Sequence, residues 1–345
     1  MNNNLSEKSI KQKVINFFKK YKEDFISFLP VLFALILIIP VPYYVTVGGG
    51  VLPLENKIEI KGEKKKEGVL ASAYVKEMKS NVLFFLLSYV VPSYEKTKVE
   101  DVVMETETAK EYEFRSRLYF TTSIDNATKV AFEKAGKDVI IDKLHLFVSS
   151  IVKEAKTDLK IGDEVISIEK EKVNSFEELA SLLEKYHYKE EITIKVKRNN
   201  KEINCYAKFI LIEKEKKLGI TIIVDYDLKT DPNVILHFGK SEQGPSGGLM
   251  LALNIYNKLS DVDITKGNKI VGTGTIDFDG KVGEIGGVKY KVMGAAKDKA
   301  DLFLVPKANY EEAIKVKEKY KYNLKIVAVE TFDETLLELS KLEKK

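Results

Sequence analysis

The sequence predicts an α+β chain with an N-terminal transmembrane helix, a β-rich middle domain and an α+β C-terminal domain. Three observations predict this fold class. The stretch 25–54 contains no charged residue. Short apolar strands flank one amphipathic helix within 138–212, and glycine-rich turns separate strand-like and helix-like runs over 218–342. A chain of 345 residues is long enough for two or three domains, each with its own core.

The apolar stretch predicts a transmembrane anchor over 25–47, preceded by a cytoplasmic basic segment over 1–24. About 20 apolar residues in a helix span a bilayer, and residues 28–39 are almost entirely apolar. A cleaved secretory signal peptide is the alternative. The stretch has no small-x-small cleavage pattern, so a retained anchor is favoured.

Charge predicts the orientation of this anchor. Residues 1–24 carry six lysines and three acidic residues, an excess that favours a cytoplasmic N-terminus. Without this segment, the 56 basic and 52 acidic residues of the chain fall to 50 and 49. We therefore expect a single-pass protein of the cell membrane whose later domains are extracellular. Their near-neutral charge excludes a nucleic-acid partner.

Cysteine and histidine usage excludes most metal sites. The chain has one cysteine, Cys205, so an internal disulfide and a cysteine metal cluster are both excluded. Its three histidines, His145, His187 and His237, lack the spacing of metal ligands. We expect neither a metal nor a cofactor.

The membrane-proximal region, 48–137, is expected to combine a small β element with short helical segments. Alternating apolar runs and a charged turn occupy 56–80. The segment 81–91 is strongly apolar, but its 11 residues are too few to span a bilayer. It is expected to be buried core, with contact to a membrane surface as the lesser alternative. A short helix is predicted over 123–136.

The domain predicted over 138–215 has strands on both sides of one helix. This helix opens with Ser175-Phe176-Glu177-Glu178, a capping box in which serine and glutamate satisfy free backbone groups. The run 159–166 (LKIGDEVI), the helix and a following β pair resemble a PDZ domain. Such domains bind an extended peptide by β-augmentation. No convincing carboxylate-binding glycine loop is present, so a spacer or lid with a PDZ shape is the alternative.

The candidate nucleophile is Ser246, within Gln243-Gly244-Pro245-Ser246-Gly247-Gly248. A nearly all-apolar run follows and is predicted to be a buried helix. Backbone N–H groups at a helix start are unpaired and lie at its positive end, and such donors stabilise a tetrahedral oxyanion. The glycines allow a tight turn and a close approach of substrate. A helix-start loop with a merely capping serine is the alternative.

Three other signatures fit this loop only in part. The Gly-x-Ser-x-Gly elbow of α/β hydrolases requires a histidine after the serine, and none follows Ser246. The Gly-Asp-Ser-Gly-Gly pattern of chymotrypsin-like enzymes belongs to a β-strand setting, whereas a helix is predicted here. His237 is a minor candidate as the base. A phosphate-binding loop ending at 239–241 would need a glycine where the chain has Val234.

Lysine is the remaining candidate for the base that activates Ser246. A lysine has a reference pKa of about 10.4, so it acts as a base only where burial lowers its pKa, by up to about 3–5 units. Lys289 and Lys291 lie on a predicted helix, and Lys291 follows Ser246 by 45 residues. Both lysines fall near the edge of the apolar face, so periodicity does not separate them.

Residues 218–342 resemble the proteolytic domain of Lon-type serine proteases. One motif is the Gly-Pro-Ser-Gly-Gly that contains Ser246, where the family pattern is Gly-Pro-Ser-Ala-Gly. The other runs from Thr273 to Lys291. The resemblance implies Ser246 as nucleophile, Lys291 as base and Thr273 as a residue that positions the amine. The supporting residues of the turn are Gly244, Pro245 and Gly247.

Two positions depart from the family pattern. Gly247 replaces the usual alanine, which should loosen the turn slightly. Gln243 stands where many relatives carry an acid, which leaves the role of that acid open here.

The order of anchor, PDZ-like domain and Lon-type domain (216–345) is similar to membrane-anchored, PDZ-containing Lon-like proteases of bacteria. This resemblance implies an ATP-independent serine endopeptidase, extracellular and membrane-anchored, with exported peptides or proteins as partners. Some members of this branch process secreted signalling peptides. Lon-type domains often form homo-oligomeric, hexameric rings, so a hexamer is also expected from the resemblance. The alternative function is a peptide-binding PDZ scaffold with an inactive peptidase domain.

Overall fold

The computed structural model describes residues 20–63, 66–239 and 242–345. The chain divides into two compact units, the first with residues 1–47 and 77–102 and the second with residues 48–76 and 103–345. The elements with residues in the first unit are α1 Lys22–Leu37, β1 Pro40–Pro53, β3 Val69–Asn81, α2 Val82–Val90, β4 Glu95–Lys98 and α3 Val99–Val102. Strands β1 and β3 also contribute residues to the second unit.

The predicted transmembrane helix over 25–47 is wrong. Helix α1 has 16 residues, about 24 Å at 1.5 Å per residue, which is shorter than the ~30 Å hydrocarbon core of a bilayer. Pro40 and Pro42 lack the N–H that a helix requires, and the β-branched and aromatic residues around them favour the strand β1. No helix of the described residues is long and apolar enough to cross a membrane. The fold class is therefore corrected to mixed α/β; residues 1–19 of the predicted basic segment lie outside the described residues.

The prediction of buried core for 81–91 is also wrong. Most of this segment forms helix α2, and none of the α2 residues is buried. The helix begins at Asn81, whose side chain accepts the Phe84 N–H at 3.0 Å. Within the same unit β1 pairs with β4, from Tyr43↔Lys98 to Thr46↔Glu95. Phe85 of α2 contacts Tyr43 of β1, with ring centroids 4.8 Å apart, but every residue of α2 stays partly or fully exposed.

In the second unit, one sheet consists of β5 Asp138–Ile151, β6 Lys156–Thr157, β7 Glu164–Ile168, β8 Glu171–Lys172, β9 Glu191–Arg198, β10 Lys201–Lys208 and β13 Ile220–Asp231. The strand order is β13-β5-β7-β9-β10-β6, with β8 paired to β7. Helix α5, Phe176–Tyr186, packs on this sheet. Ser175 caps it as predicted, with its hydroxyl accepting the Glu178 N–H at 3.1 Å, while the Glu178 carboxylate accepts the Asn174 N–H at 2.7 Å.

The other sheet of this unit has adjacent parallel strands, β3, β15, β18 and β19. Its strands and helices are α6 Gly248–Leu259, β15 Lys269–Gly272, α7 Val288–Lys297, β18 Leu302–Pro306, α8 Tyr310–Tyr320, β19 Lys325–Val329 and α9 Phe332–Ser340. Alternate residues of the strands point to opposite faces. Leu70 and Ile270 therefore join the core under α6 and α9, and Ala71 and Val271 join the core under α7 and α8.

Short pieces complete the second unit. They are the 3₁₀ turns Glu55–Lys57 and Lys307–Asn309 and the strand pairs β2 Ile58–Ile60 with β14 Val234–Leu236, β11 Ile210–Ile212 with β12 Glu215–Lys217, and β16 Thr275–Ile276 with β17 Val282–Gly283.

The short helix predicted over 123–136 is part of a much longer one. Helix α4 has 26 residues, Ala109–Lys134. It begins at Thr108, which forms a reciprocal capping box with Glu111, and Gly136 follows its end with φ +63°. Its first half is rich in charged residues and has only Leu118 and Phe120 buried, so sequence periodicity missed it.

Candidate active site

Ser246 lies in the turn that leads into α6, and its backbone is anchored to the segment after β15. The Ser246 carbonyl accepts the Gly274 N–H at 2.8 Å and the Thr273 hydroxyl at 2.9 Å. The Leu249 N–H donates to the Gly274 carbonyl at 3.1 Å. Helix α6 is buried along most of its length, as predicted, so the turn is fixed at both ends to the protein interior.

The glycines of this turn are needed for two reasons. Gly244 has φ +79°, in the left-handed region that favours glycine. At Gly248 a Cβ would lie 2.6 Å from Ser123 Oγ and 3.0 Å from the Ile276 nitrogen, which leaves no room for a side chain. At Gly247 a Cβ would lie 3.1 Å from Ser72 Oγ. An alanine at this position would be tightly packed, but a small shift of the Ser72 side chain would accommodate it.

Lys291 lies in the first turns of α7 with its side chain inside the protein. The residue is 1% exposed, and its amine donates a hydrogen bond of 3.0 Å to Thr273 Oγ1. Burial lowers the pKa of Lys291 from 10.5 to about 8, because a charged amine loses its hydration there. About a tenth of this lysine is therefore neutral at pH 7, and about half at pH 8, and a general base must be neutral.

Lys289 and Lys291, which sequence periodicity did not distinguish, differ in their burial. Lys289 is partly exposed, and its amine donates to the Tyr290 hydroxyl at 3.3 Å. The other candidate base, His237, is exposed and pairs with Glu59 at 3.2 Å. Of the three, Lys291 has the buried environment that lowers a lysine pKa. Gln243 is exposed at the start of the turn.

Thr273 connects the lysine to the serine turn. It is 0% exposed and uses one oxygen twice, as acceptor from Lys291 and as donor to the Ser246 carbonyl. The structure thus brings Ser246, Thr273 and Lys291 together from three segments. Among the described residues, the hydrogen bond of the amine goes to Thr273 and not to Ser246 Oγ.

The start of α7 is fixed by a residue far along the chain. Asn309 is buried and forms two hydrogen bonds with the Ile285 backbone, from its Nδ2 to the carbonyl at 3.0 Å and from the N–H to its Oδ1 at 2.9 Å. Gly287, with φ +71°, then turns the chain into the helix. This double contact sets where Lys291 enters the protein interior.

Helix α4 contributes residues that sequence reasoning did not identify as part of the site. The Ser123 hydroxyl donates to the Pro245 carbonyl at 3.1 Å, and the Ser116 carbonyl accepts the Gly244 N–H at 3.2 Å. Arg117 donates to the carbonyls of Gly239 and Glu242 at 2.9 and 3.2 Å. These residues lie more than 100 positions before the turn and belong to no motif, so the sequence carries no signal for them.

No group of three or more metal-ligating side chains occurs among the residues with described positions. The predicted absence of a metal or cofactor stays a prediction.

Comparison with known proteins identifies two domains. Residues 214–341 match the Lon protease (S16) C-terminal proteolytic domain, and residues 129–208 match the PDZ domain. A PDZ domain of EpsC from Vibrio cholerae aligns with 17% identity and a TM-score of 0.14, covering 15% of this chain and 60% of that chain; this score is too low to bear on the fold.

Curated relatives align with about a third of this chain. Lon protease from Campylobacter jejuni is 31% identical over 134 residues, which are 37% of this chain and 17% of that protein. Lon protease from Haemophilus influenzae is 33% identical over 121 residues, 35% of this chain and 15% of that protein. The chain thus spans less than a fifth of the length of these curated relatives. It contains a PDZ domain and, after it, the C-terminal proteolytic domain of the Lon proteases.

Proposed function

We propose that the chain is an ATP-independent serine endopeptidase in which Ser246 is the nucleophile and Lys291 the general base. One observation carries this proposal. A buried lysine with a lowered pKa is joined through a single threonine hydroxyl to the backbone of a serine in a glycine-rich helix-start turn. The match to a Lon proteolytic domain supports protease activity for this site.

The reaction follows from these groups. Neutral Lys291 accepts the proton of Ser246 Oγ as the oxygen attacks a peptide carbonyl. The protonated amine then donates that proton to the leaving amine, and a water molecule hydrolyses the acyl-enzyme with Lys291 again as base. The Lys291 amine donates to Thr273, so proton transfer requires Lys291 Nζ and Ser246 Oγ to come within hydrogen-bond distance, roughly 2.6–3.2 Å, in the substrate complex.

The turn also has donors for the oxyanion. The N–H groups of Gly244, Gly248 and Leu249 are bonded to carbonyls of Ser116, Pro245 and Gly274. Within the described part of the chain, this leaves the N–H groups of Ser246 and Gly247 at the positive end of α6. We assign these two donors to the tetrahedral intermediate.

The alternative, a peptide-binding scaffold, is disfavoured by the pairing of β5. Strand β13 occupies one edge of β5 over its full length, from Ile220↔Ile151 to Asp231↔Asp138. Apolar residues of β13 pack in the same core as α5. A peptide that adds to this edge by β-augmentation would have to displace β13.

The test is cleavage of an unfolded protein substrate by the wild type, Ser246→Ala and Lys291→Ala. Both variants should lose cleavage by at least ~10³-fold while keeping the wild-type thermal unfolding midpoint within a few degrees, because each removes one half of the dyad. Lys289→Ala is the matched control and should cleave normally. Added ATP and magnesium should leave the rate unchanged. Cleavage retained in Ser246→Ala would refute the assignment. Exported substrates and a hexameric assembly stay predictions.

A further inference from the structure

One helix outside the proteolytic domain holds the turn that carries Ser246. Helix α4, Ala109–Lys134, ends before the proteolytic match begins at residue 214. Three of its residues, Ser116, Arg117 and Ser123, form hydrogen bonds with the backbone between Gly239 and Pro245. Positions 116 and 123 are seven residues apart, about two helical turns, and therefore lie on one face of α4.

Ser123 has the most direct contact with the turn. Its residue is 3% exposed, and its hydroxyl donates to the Pro245 carbonyl at 3.1 Å. The same oxygen fills the space beside Gly248, where a Cβ would approach to 2.6 Å. Ser123 thus contacts the turn on both sides of Ser246.

The chemistry of the peptide bond gives this contact a consequence for catalysis. The Pro245 carbonyl and the Ser246 N–H belong to one planar peptide unit. A hydrogen bond that fixes the carbonyl oxygen therefore also fixes the direction of the N–H on its opposite side. That N–H is one of the two donors assigned above to the oxyanion, and such donors are effective only when their direction is set before the reaction.

We propose that Ser123 is a positioning residue, which orients the Ser246 N–H toward the oxyanion through the Pro245–Ser246 peptide plane. This inference rests on the proposed Ser246–Lys291 dyad. It makes α4 a required part of the active site although α4 lies outside the catalytic domain. The hydrogen bond from Ser123 lowers the energy of the transition state and not that of the bound substrate. The reason is that the carbonyl oxygen of the bound substrate does not yet carry the developing negative charge.

The experiment compares Ser123→Ala with Thr121→Ala on the same helix. The Thr121 hydroxyl donates to the Leu118 carbonyl of α4 itself at 2.9 Å, so this substitution removes a hydroxyl from the helix and leaves the hydrogen bonds to the turn in place. We expect Ser123→Ala to lower kcat about tenfold, the effect of losing about 1.4 kcal/mol, with KM unchanged. The pH midpoint of the rate should also be unchanged, because Lys291 is untouched. Thr121→Ala should stay within about twofold of wild type.

Binding of a peptide aldehyde separates positioning from a structural role. Its carbonyl carbon bonds to Ser246 Oγ and places a hemiacetal oxygen in the oxyanion position. Ser123→Ala should bind this aldehyde about tenfold more weakly, yet bind the matching peptide substrate as wild type does. Pro245 keeps its hydrogen bond from the Gly248 N–H at 3.1 Å, so the turn should remain folded.

Three results would overturn the inference. They are wild-type kcat in Ser123→Ala, unchanged aldehyde affinity, and a shifted pH midpoint, which would place its effect on Lys291. An inactive Ser246→Ala with a fully active Ser123→Ala would reject this inference and leave the dyad standing. A fully active Ser246→Ala would reject both.

Discussion

The Lys291 amine donates a hydrogen bond of 3.0 Å to Thr273 Oγ1 inside the protein. The Thr273 hydroxyl can accept from the lysine in either protonation state, and its own proton is directed to the Ser246 carbonyl. The contact therefore fixes the direction of the amine without adding a negative charge that would hold its proton. Burial is then the dominant influence on the lysine pKa.

The rate of cleavage should rise with pH through about 8. Burial lowers the pKa of Lys291 to about 8, and only the neutral amine accepts a proton from Ser246. We expect kcat/KM for a neutral peptide to increase about tenfold per pH unit below the midpoint and to level off above it. A rate independent of pH between 6 and 9 would contradict Lys291 as the base.

Replacing Lys291 by methionine should stabilise the fold at neutral pH. The folded-state pKa is depressed from 10.5 to about 8, so this group contributes stability that is present above pH 10.5 and lost as pH falls through 8. A lysine pKa lowered from 10.5 to about 8 corresponds to a free-energy difference of about 3 kcal/mol. After loss of the hydrogen bond to Thr273, we expect a net gain of about 2 kcal/mol at pH 7, measured by urea unfolding. The gain should shrink toward zero at pH 10, and an equal gain at both pH values would contradict the prediction.

Thr273→Val should reduce cleavage and move its pH midpoint down. Valine keeps the shape but removes both hydrogen bonds, and loss of a buried hydrogen-bond partner costs roughly 1–3 kcal/mol. We therefore expect kcat to fall about 10- to 100-fold. The hydroxyl accepts a stronger hydrogen bond from the charged amine than from the neutral one, so its removal should lower the pKa of Lys291 further. Thr273→Ser, which keeps the hydroxyl, should restore most of the rate. A midpoint that moves to higher pH would contradict this role.

Stability should fall as pH rises toward about 8, because of a half-buried carboxyl pair between α4 and β13. Burial and the neighbouring Asp225 raise the pKa of Asp125 to about 8, and the Thr122 hydroxyl donates to Asp225 at 2.8 Å. A raised carboxyl pKa contributes stability that is present below the unfolded value of 3.8 and lost as pH rises through 8. In the Asp125→Asn variant, the thermal unfolding midpoint should change less with pH across this range. An unchanged pH profile in this variant would exclude the pair as the cause.

A disulfide between β5 and β13 should leave proteolysis intact. Ser150 and Thr221 are paired across the two strands, and their hydroxyl oxygens are 2.7 Å apart. Directly paired residues of antiparallel strands have Cα atoms roughly 4.5–5.5 Å apart, which a disulfide can bridge. We expect the double cysteine variant to cleave an unfolded protein equally fast when oxidised and reduced, because β13 is a permanent strand of this sheet. Slower cleavage after oxidation would mean that β13 must leave the edge of β5. Each single cysteine variant is the control.

The local sequence pattern was sufficient to predict a helix where one short segment decides the structure. The Ser175 cap and the apolar face after it predicted α5, and the glycine turn before an apolar run predicted the buried helix α6. The same kind of pattern failed at 25–47, because an uncharged run is compatible with a helix or a strand. Pro40 and Pro42 disfavour a helix, and the neighbouring β-branched residues favour the strand β1.

The amino-acid sequence by itself determined the residue types of the site and their two motifs, Ser246 in a glycine turn and Lys291 after Thr273. Only the tertiary structure decided which lysine is buried, that Thr273 joins it to the serine turn, and that Ser123 holds that turn. The physical reason is that burial and hydrogen-bond direction depend on segments distant in the chain. A helix over 100 residues away and a neighbouring strand have no signature in the motif they support.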